Sequence, residues 1–591
     1  MSQDKKLKPF GEIPESFTGL KAENVYYVDK TGFIPYLITQ GRKICVFTRP
    51  RRFGKTLMLR TLEAFFEYRL DADGNPIDHR RDFEGLKVMD AGEDVLREMG
   101  QYPVISLSFK DVWGNTFSKV LEQLQEAVRQ ACKPHKALFR ASTMLSDVEK
   151  ETLQSYQDGV PTEANVRNFL AKYTEWLTVV TGRNVVILLD EYDVPLQKAA
   201  IHDIHNPGDR LYEQTVELIS QFISSGFKSN SYLAYGIIAS CMRVAKESIF
   251  TGMNNPGVIT VLDDIPEEFW GFSEDEVKAM LSYYDIADWY PRIEKWYDGY
   301  EYSGRKVFNP WSLLNAIRGL VNGSGENAFQ AYWGLTSGND IIDDMIERNP
   351  QHRESLARLM DGGTMTIPVV GNLSYRDLQK NPEAIWSFLL YTGYLKPVKV
   401  SKDEDDMRIA EVAIPNTEVY TIMKSSLQRW WDNTLTRYDA HPLMQALWGG
   451  DVQAIKREID RIMNESISVK DAREDFYHRM LVGVLRTQCE VKSNRESGTG
   501  YPDIVVIKEN RAAILELKCL LPSRLQSIPK KEEFQKIPPM MQELLDEAEK
   551  QIRTQYYLEG LRFEKSFLTE IKAYAVCFCR KLCMVREVRA D

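Results

Sequence analysis

Residues 48–56 read Thr-Arg-Pro-Arg-Arg-Phe-Gly-Lys-Thr, directly behind the apolar run Ile44-Cys45-Val46-Phe47. A short strand that opens into a loop ending Gly-Lys-Thr is the core of a phosphate-binding P-loop. The Lys55 ammonium and the N–H groups of a following helix N-terminus are what such a loop offers to phosphates. Far downstream, Val185-Val186-Ile187-Leu188-Leu189-Asp190-Glu191 is an apolar strand ending in two carboxylates. Each half supplies what the other lacks. Thr56 and Asp190 are placed to hold Mg2+, and Glu191 to polarise an attacking water, with ATP as the nucleotide.

The general pattern G-x-x-x-x-G-K-S/T puts its first glycine at residue 49, where this chain has Arg49 followed by Pro50. A residue before proline is pushed toward extended backbone, so the loop entrance should be wider than usual. Arg49, Arg51 and Arg52 set three guanidinium groups beside it, for phosphates, for acidic partners, or as a solvated turn. The nucleotide-binding set is then Arg49, Arg52, Phe53, Gly54, Lys55, Thr56 and Asp190. Arg243 joins it because it follows the strand-like Tyr232–Ala239, where a side chain senses the γ-phosphate. Lys246 and Ser240 are further candidates for that role. Surface ion pairing with Glu247 or other acids is the alternative for Arg243 and Lys246.

A second constellation stands near the C-terminus. Asp503 opens the apolar run Ile504-Val505-Val506-Ile507, and a charged turn leads into Ala512-Ala513-Ile514-Leu515-Glu516-Leu517-Lys518. Period-two alternation puts Glu516 and Lys518 on one face of a hairpin strand, with Leu515 and Leu517 on the other. Two carboxylates with a lysine suit metal-assisted phosphodiester cleavage: the acids hold Mg2+ and the lysine orients water and offsets phosphate charge. An ordinary surface Glu/Lys pair is the alternative for that spacing alone. Glu474, on an upstream helix, is placed to complete the metal shell. Glu496 precedes the Asp503 strand, and Gln551 and Tyr556 lie on a helix expected over Ala548–Tyr557 that closes over the hairpin. His478 reads as a packing residue.

These groups need elements to position them. Strands at Ile44–Thr48, Val104–Phe109, Val185–Leu189 and Tyr232–Ala239 alternate with helices such as Thr56–Tyr68 and Ser118–Ala131, which argues for an open parallel sheet wrapped on both faces. The extra strand at Val104–Phe109 suits P-loop ATPases with a catalytic glutamate after the metal-binding aspartate. From about 274 the pattern turns mostly helical. Strands at Tyr394–Val400 and Arg408–Ile414, joined by the turn Lys402–Asp406, suggest a winged-helix-like lid. Val452–Glu465 reads as a connecting helix and Lys530–Pro539 as an exposed loop. The domains expected are 1–273, 274–450 and 451–591.

At 591 residues and 43% hydrophobic content, each domain can bury a core. The formal charge of −10 argues against bulk electrostatic capture of nucleic acid but leaves room for a local basic groove. Of eight cysteines, Cys577, Cys579 and Cys583 alternate along a strand without zinc spacing and read as reduced thiols. The start lacks an apolar leader, and no apolar run approaches the roughly 18 residues of a spanning helix, so a soluble, cytoplasmic protein is expected.

The chain resembles a bacterial family that pairs an N-terminal AAA-ATPase-like domain with a C-terminal PD-(D/E)XK nuclease-superfamily domain. The segments that carry the resemblance run in order along almost the whole chain. They include Tyr27-Val28-Asp29-Lys30-Thr31, Arg49–Thr56, Leu189-Asp190-Glu191-Tyr192-Asp193, Arg243–Phe250, Trp296–Tyr300, Asn309-Pro310-Trp311-Ser312, Ile414–Val419, and Asp503 with Glu516-Leu517-Lys518. The resemblance implies that Arg49 belongs to the family's own form of the loop. It maps the nuclease motif to Asp503, Glu516 and Lys518, with Glu474 as an added helix carboxylate. The fold it implies is α/β, with a P-loop ATPase parallel sheet, a mainly helical winged-helix-like middle, and a C-terminal restriction-endonuclease-like domain. The function it implies is ATP binding and hydrolysis, shifting the lid to control a Mg2+-dependent nuclease in mobile-element or defence biology. DNA is favoured over RNA as partner, with no membrane and with room for a homo-oligomer. The alternative is a nucleotide-dependent switch or scaffold that binds nucleic acid or protein through an inactive nuclease fold.

Overall fold

The computed structural model describes residues 7–9, 17–71, 75–140, 143–206, 208–242, 253, 256–263, 269–302, 305–334, 340–371, 373, 375, 378, 381, 383–465, 474–493, 502–521, 533–555, 557–565 and 567–589. The chain forms two compact units, Met1–Gly338 with Gly362–Ile422, and Asn339–Asp361 with Met423–Asp591. The expected middle region is thus divided between them.

The first unit is built on a parallel sheet of β1 (Ile44–Thr48), β2 (Val104–Ser108), β3 (Val185–Asp190), β4 (Leu233–Ser240) and β5 (Gly257–Ile259), in the order β2-β3-β4-β1-β5. β1 and β3 are buried along their whole length, as continuous apolar runs must be when helices cover both faces. Helix α1 (Lys55–Phe66) buries Met58, Leu59, Leu62, Phe65 and Phe66 in one core with Val186, Leu188 and Ile237. Alternation turns Ile187 to the opposite face, under the helix Leu211–Phe227. The extra strand expected over 104–109 is the edge strand β2. The strand inserted between β1 and β3 is β4, which pairs Ser240 with Thr48 on one side and Ala239 with Asp190 on the other.

Beyond this sheet the unit carries β6 (Phe272–Ser273), β7 (Tyr300–Tyr302) and β8 (Arg305–Phe308), followed by helix Pro310–Val321. A second antiparallel sheet, β9 (Met365–Pro368), β10 (Lys396–Lys402) and β11 (Arg408–Ala413), pairs in the order β10-β11-β9.

The second unit is a mixed five-stranded sheet of β12 (Glu490–Lys492), β13 (Ile504–Lys508), β14 (Arg511–Cys519), β15 (Glu570–Cys579) and β16 (Leu582–Val588). Only β14 and β15 run parallel. Helices Val452–Glu465 and Glu474–Arg486 cover one face, packing Ile455, Ile459, Tyr477 and Leu481 on Leu515, Leu517 and Val576. Val452–Glu465 is therefore a core helix rather than a connector. The other face takes helix Glu533–Thr554, which packs Ile537, Met541 and Leu545 on Ile514 and Ala575. Of the loop expected over Lys530–Pro539, residues 530–532 lie outside the described residues and 533–539 are helical, the helix running through Pro538 and Pro539. Two lost N–H donors would normally break it, and burial of Ile537 and Met541 offsets the loss. All eight cysteines are free thiols, and Cys583 lies on β16 rather than beside Cys577 and Cys579 on β15.

Candidate functional sites

In the first unit, the P-loop turns at Arg52 (φ 66) and Gly54 (φ 82) before α1 begins at Lys55. Gly54 needs its left-handed backbone, and any side chain there would be strained. Thr56 donates its hydroxyl to Asp190 Oδ2 at 2.6 Å. The Lys55 ammonium, 6% exposed, donates to the carbonyls of Arg49 (2.9 Å) and Pro50 (2.8 Å) and to Cys241 Sγ (3.4 Å). Glu191 ends the strand with φ 56, a left-handed conformation that costs about 1 kcal/mol or more, while its N–H donates to Ala239.

The three arginines separate. Arg49 is buried, donates to the Thr48 carbonyl at 2.8 Å and stands 5.6 Å over the Trp270 ring, so it is part of the core and not a solvated turn. Arg52 is exposed and lies 4.5 Å over Trp311. Arg51 donates to Gln197 Oε1 at 2.7 Å. Phe53 is buried edge-on against Tyr300, with ring centroids 5.0 Å apart. The Ser240 hydroxyl is bonded to the Met242 carbonyl. Arg243 and Lys246 lie outside the described residues.

Asp193 and Cys241 belong to this site and went unremarked in the sequence. The signal was the second aspartate of Asp190-Glu191-Tyr192-Asp193, and the position of Cys241 directly after β4. Burial pushes Asp190 up to about 6, against the Thr56 hydrogen bond. Asp193 is likewise pushed up to about 6 by burial, against the pull of Lys55 and Arg51. Asp190 Oδ1 and Asp193 Oδ1 are buried without a hydrogen-bond partner. Each such oxygen costs about 1–3 kcal/mol until a cation or donor satisfies it. The donor set therefore fits a metal with phosphate: a hydroxyl, an aspartate with a spare oxygen, and a lysine now resting on loop carbonyls.

In the second unit, Asp503 and Glu516 lie at the open end of the hairpin, one position beyond the Ile504–Leu515 pair. Asp503 donates its N–H to Glu516 Oε2 at 3.4 Å, and its own Oδ2 accepts from the Leu517 N–H at 2.8 Å. Lys518 donates to Glu516 Oε1 at 3.2 Å and to Gln551 Oε1 at 2.9 Å. Gln551 in turn donates to the Tyr557 hydroxyl at 3.3 Å. Gln551 lies on helix Glu533–Thr554, which covers the hairpin but ends before the expected Tyr557; Tyr557 opens the next helix, Tyr557–Glu564. Tyr557 provides the phenol there, while Tyr556 and Glu496 lie outside the described residues. Glu516 is 1% exposed, and burial, reinforced by the Asp503 charge, pushes it up to about 7. Burial works against the Lys518 charge, but Glu516 and Asp503 outweigh it and hold the amine above its ordinary value.

Glu474 opens helix Glu474–Arg486, and its charge is felt at Lys518 and Cys519. Among the described residues, no group of three or more His, Cys, Asp and Glu side chains is gathered closely enough to hold a metal. The pair Asp503 and Glu516 nonetheless offers two adjacent carboxylates, the buried one already paired with Lys518. His478 packs within 3.0 Å of the Asp503 carbonyl and 2.9 Å of the Ser493 hydroxyl, so it steadies the turn that presents Asp503.

Comparison with known proteins agrees with this division. Residues 13–250 match a family described as predicted AAA-ATPase, and residues 472–588 match the PD-(D/E)XK nuclease superfamily. The chain is also similar to an uncharacterized protein in the vnfD 5' region of Azotobacter chroococcum mcd 1, 24% identical over 430 residues that cover 71% of this chain and 69% of the relative. No helix among the described residues is long and apolar enough to cross a membrane.

Proposed function

We propose that this chain, which joins an AAA-ATPase-like domain to a PD-(D/E)XK nuclease-superfamily domain, binds and hydrolyses ATP with Mg2+ and uses that cycle to govern Mg2+-dependent cleavage of DNA. The observation that carries this reading is Lys518 bonded to Glu516 beside Asp503, a lysine and two carboxylates on adjoining strands. Asp503 and Glu516 are the metal ligands, joined by Glu474. Lys518, held by Gln551, orients the attacking water and offsets charge on the scissile phosphate. A bound Mg2+ would supply Lewis-acid polarisation of that phosphate.

In the first unit Lys55 exchanges its carbonyl acceptors for phosphate oxygens, Thr56 and Asp190 hold the nucleotide's metal, and Glu191 orients the water. Arg49, Arg52, Phe53 and Gly54 shape the loop, and Arg243 senses nucleotide state. A mobile-element or defence role fits the pairing.

The test incubates the full chain with DNA and Mg2+ or Mn2+, with and without ATP, against Lys518→Ala. Cleavage by the wild type alone supports the nuclease. A second reading, a nucleotide-dependent scaffold with an inactive nuclease fold, is favoured by the lack of a gathered three-ligand group among the described residues. Nucleotide binding without cleavage of DNA or RNA in any nucleotide state would select it.

A further inference from the structure

The three arginines of the P-loop make different contacts. Arg49 is committed to the core through Thr48 and Trp270. Arg52 lies over Trp311. Arg51 instead stands among Asp193, Cys241, Tyr375 and Tyr394, with its guanidinium bonded to Gln197. Asp193 and Gln197 are one helical turn apart on helix Asp193–His205, so they present a single face to it. The Lys55 ammonium reaches the same place, bonded to Cys241 and within the field of the Asp193 carboxylate. The buried Asp193 carboxylate, one oxygen of which has no hydrogen-bond partner, thus lies in the field of two cations of one loop.

We propose that Arg51 is the residue by which this loop tells a nucleoside triphosphate from a diphosphate, with Gln197 as the residue that positions its guanidinium. The inference rests on the reading that this unit binds nucleotide. Guanidinium suits the task because its planar fork makes paired, charge-assisted hydrogen bonds to phosphate oxygens. Gln197 holds the fork with a neutral acceptor. The Asp193 charge nearby is offset by Lys55 and Arg51.

The experiment measures equilibrium binding of fluorescent ADP, and its displacement by a non-hydrolysable triphosphate analogue, to the full chain with Mg2+. Arg51→Ala is expected to weaken the triphosphate about tenfold or more while ADP stays within about twofold. Gln197→Ala should weaken the triphosphate alone by a smaller factor. Arg51→Lys keeps the charge without the fork and should restore part of the discrimination, which also covers the case of an Arg51→Ala chain that does not fold. Equal loss of both nucleotides in these variants, or no loss of either, overturns the proposal. If the wild type binds neither nucleotide while its melting profile shows it folded, the nucleotide-binding reading fails and takes this inference with it.

Discussion

Thr56 donates its hydroxyl to Asp190 Oδ2 over 2.6 Å, so the helix after the P-loop is joined to the strand that leads into Asp190 and Glu191, at the site proposed for a nucleotide's metal. The other Asp190 oxygen is buried without a partner. Asp190→Asn keeps an acceptor for Thr56 and removes an uncompensated buried charge. The variant should melt at the wild-type temperature or higher, while Mg2+ no longer strengthens its ATP binding, a loss of about tenfold or more. Nucleotide affinities with Mg2+ and with EDTA check this. An unchanged Mg2+ effect in the variant would remove Asp190 from the metal site.

Glu191 leaves β3 in a left-handed conformation that turns it off the strand axis. Glu191→Gln keeps size and hydrogen bonding but cannot take a proton, so ATP should bind within about twofold of wild type and turn over about a hundredfold more slowly or worse. Lys55→Ala should abolish binding, because no other ammonium stands on the Arg49 and Pro50 carbonyls among the described residues. Turnover in Glu191→Gln equal to wild type would assign the water to another group.

Lys518 is bonded to both Glu516 and Gln551. Asp503→Asn should weaken Mn2+ binding measured by calorimetry, because a charged ligand is lost. Lys518→Ala should leave that binding in place and slow DNA cleavage by about a hundredfold or more. Gln551→Ala, which frees the lysine on one side only, should fall between Lys518→Ala and wild type. Loss of Mn2+ binding in Lys518→Ala would show that the lysine shapes the metal site rather than the reaction.

Glu418 is buried, accepts from the Ser312 hydroxyl and the Trp333 N–H at 2.8 Å each, and is pushed by burial up to about 7 from an ordinary 4.5. An acid held above its unfolded value stabilises the fold in its protonated form. That contribution is complete below pH 4.5 and disappears as pH rises through about 7. Glu418→Gln keeps the one oxygen that accepts both bonds, without the charge. Its melting midpoint should match wild type at pH 5 and exceed it by several degrees at pH 8, from at most about 3 kcal/mol. The same difference at both pH values would refute the assignment.

Local pattern carried much of this fold. The apolar run Ile44–Phe47 before Gly-Lys-Thr marks β1 and α1 closely, and alternation around Glu516 and Lys518 places both on the β14 face that Gln551 covers. What no local pattern holds is pairing at a distance. The insertion of β4 between β1 and β3 depends on which strands bury best side by side. That insertion brings Cys241 onto Lys55. The helix through Pro538 and Pro539 escaped for the same reason, since Ile537 and Met541 find their partners on β14 and β15. Arg49 reads as a polar turn residue until Trp270 covers it.

The P-loop's walls are encoded far from the loop. Trp270 lies against Arg49, Tyr300 against Phe53 and Trp311 against Arg52, while a Cβ at Gly393 (φ 90) would come within 2.7 Å of Pro50. All four partners lie beyond residue 250, where the match to the ATPase family ends. The stretch that the ATPase family match spans is therefore shorter than the stretch that packs around the loop. A chimera grafting residues 13–250 onto a relative would carry the chemistry without its supports, and the smallest transferable module extends at least through Gly393.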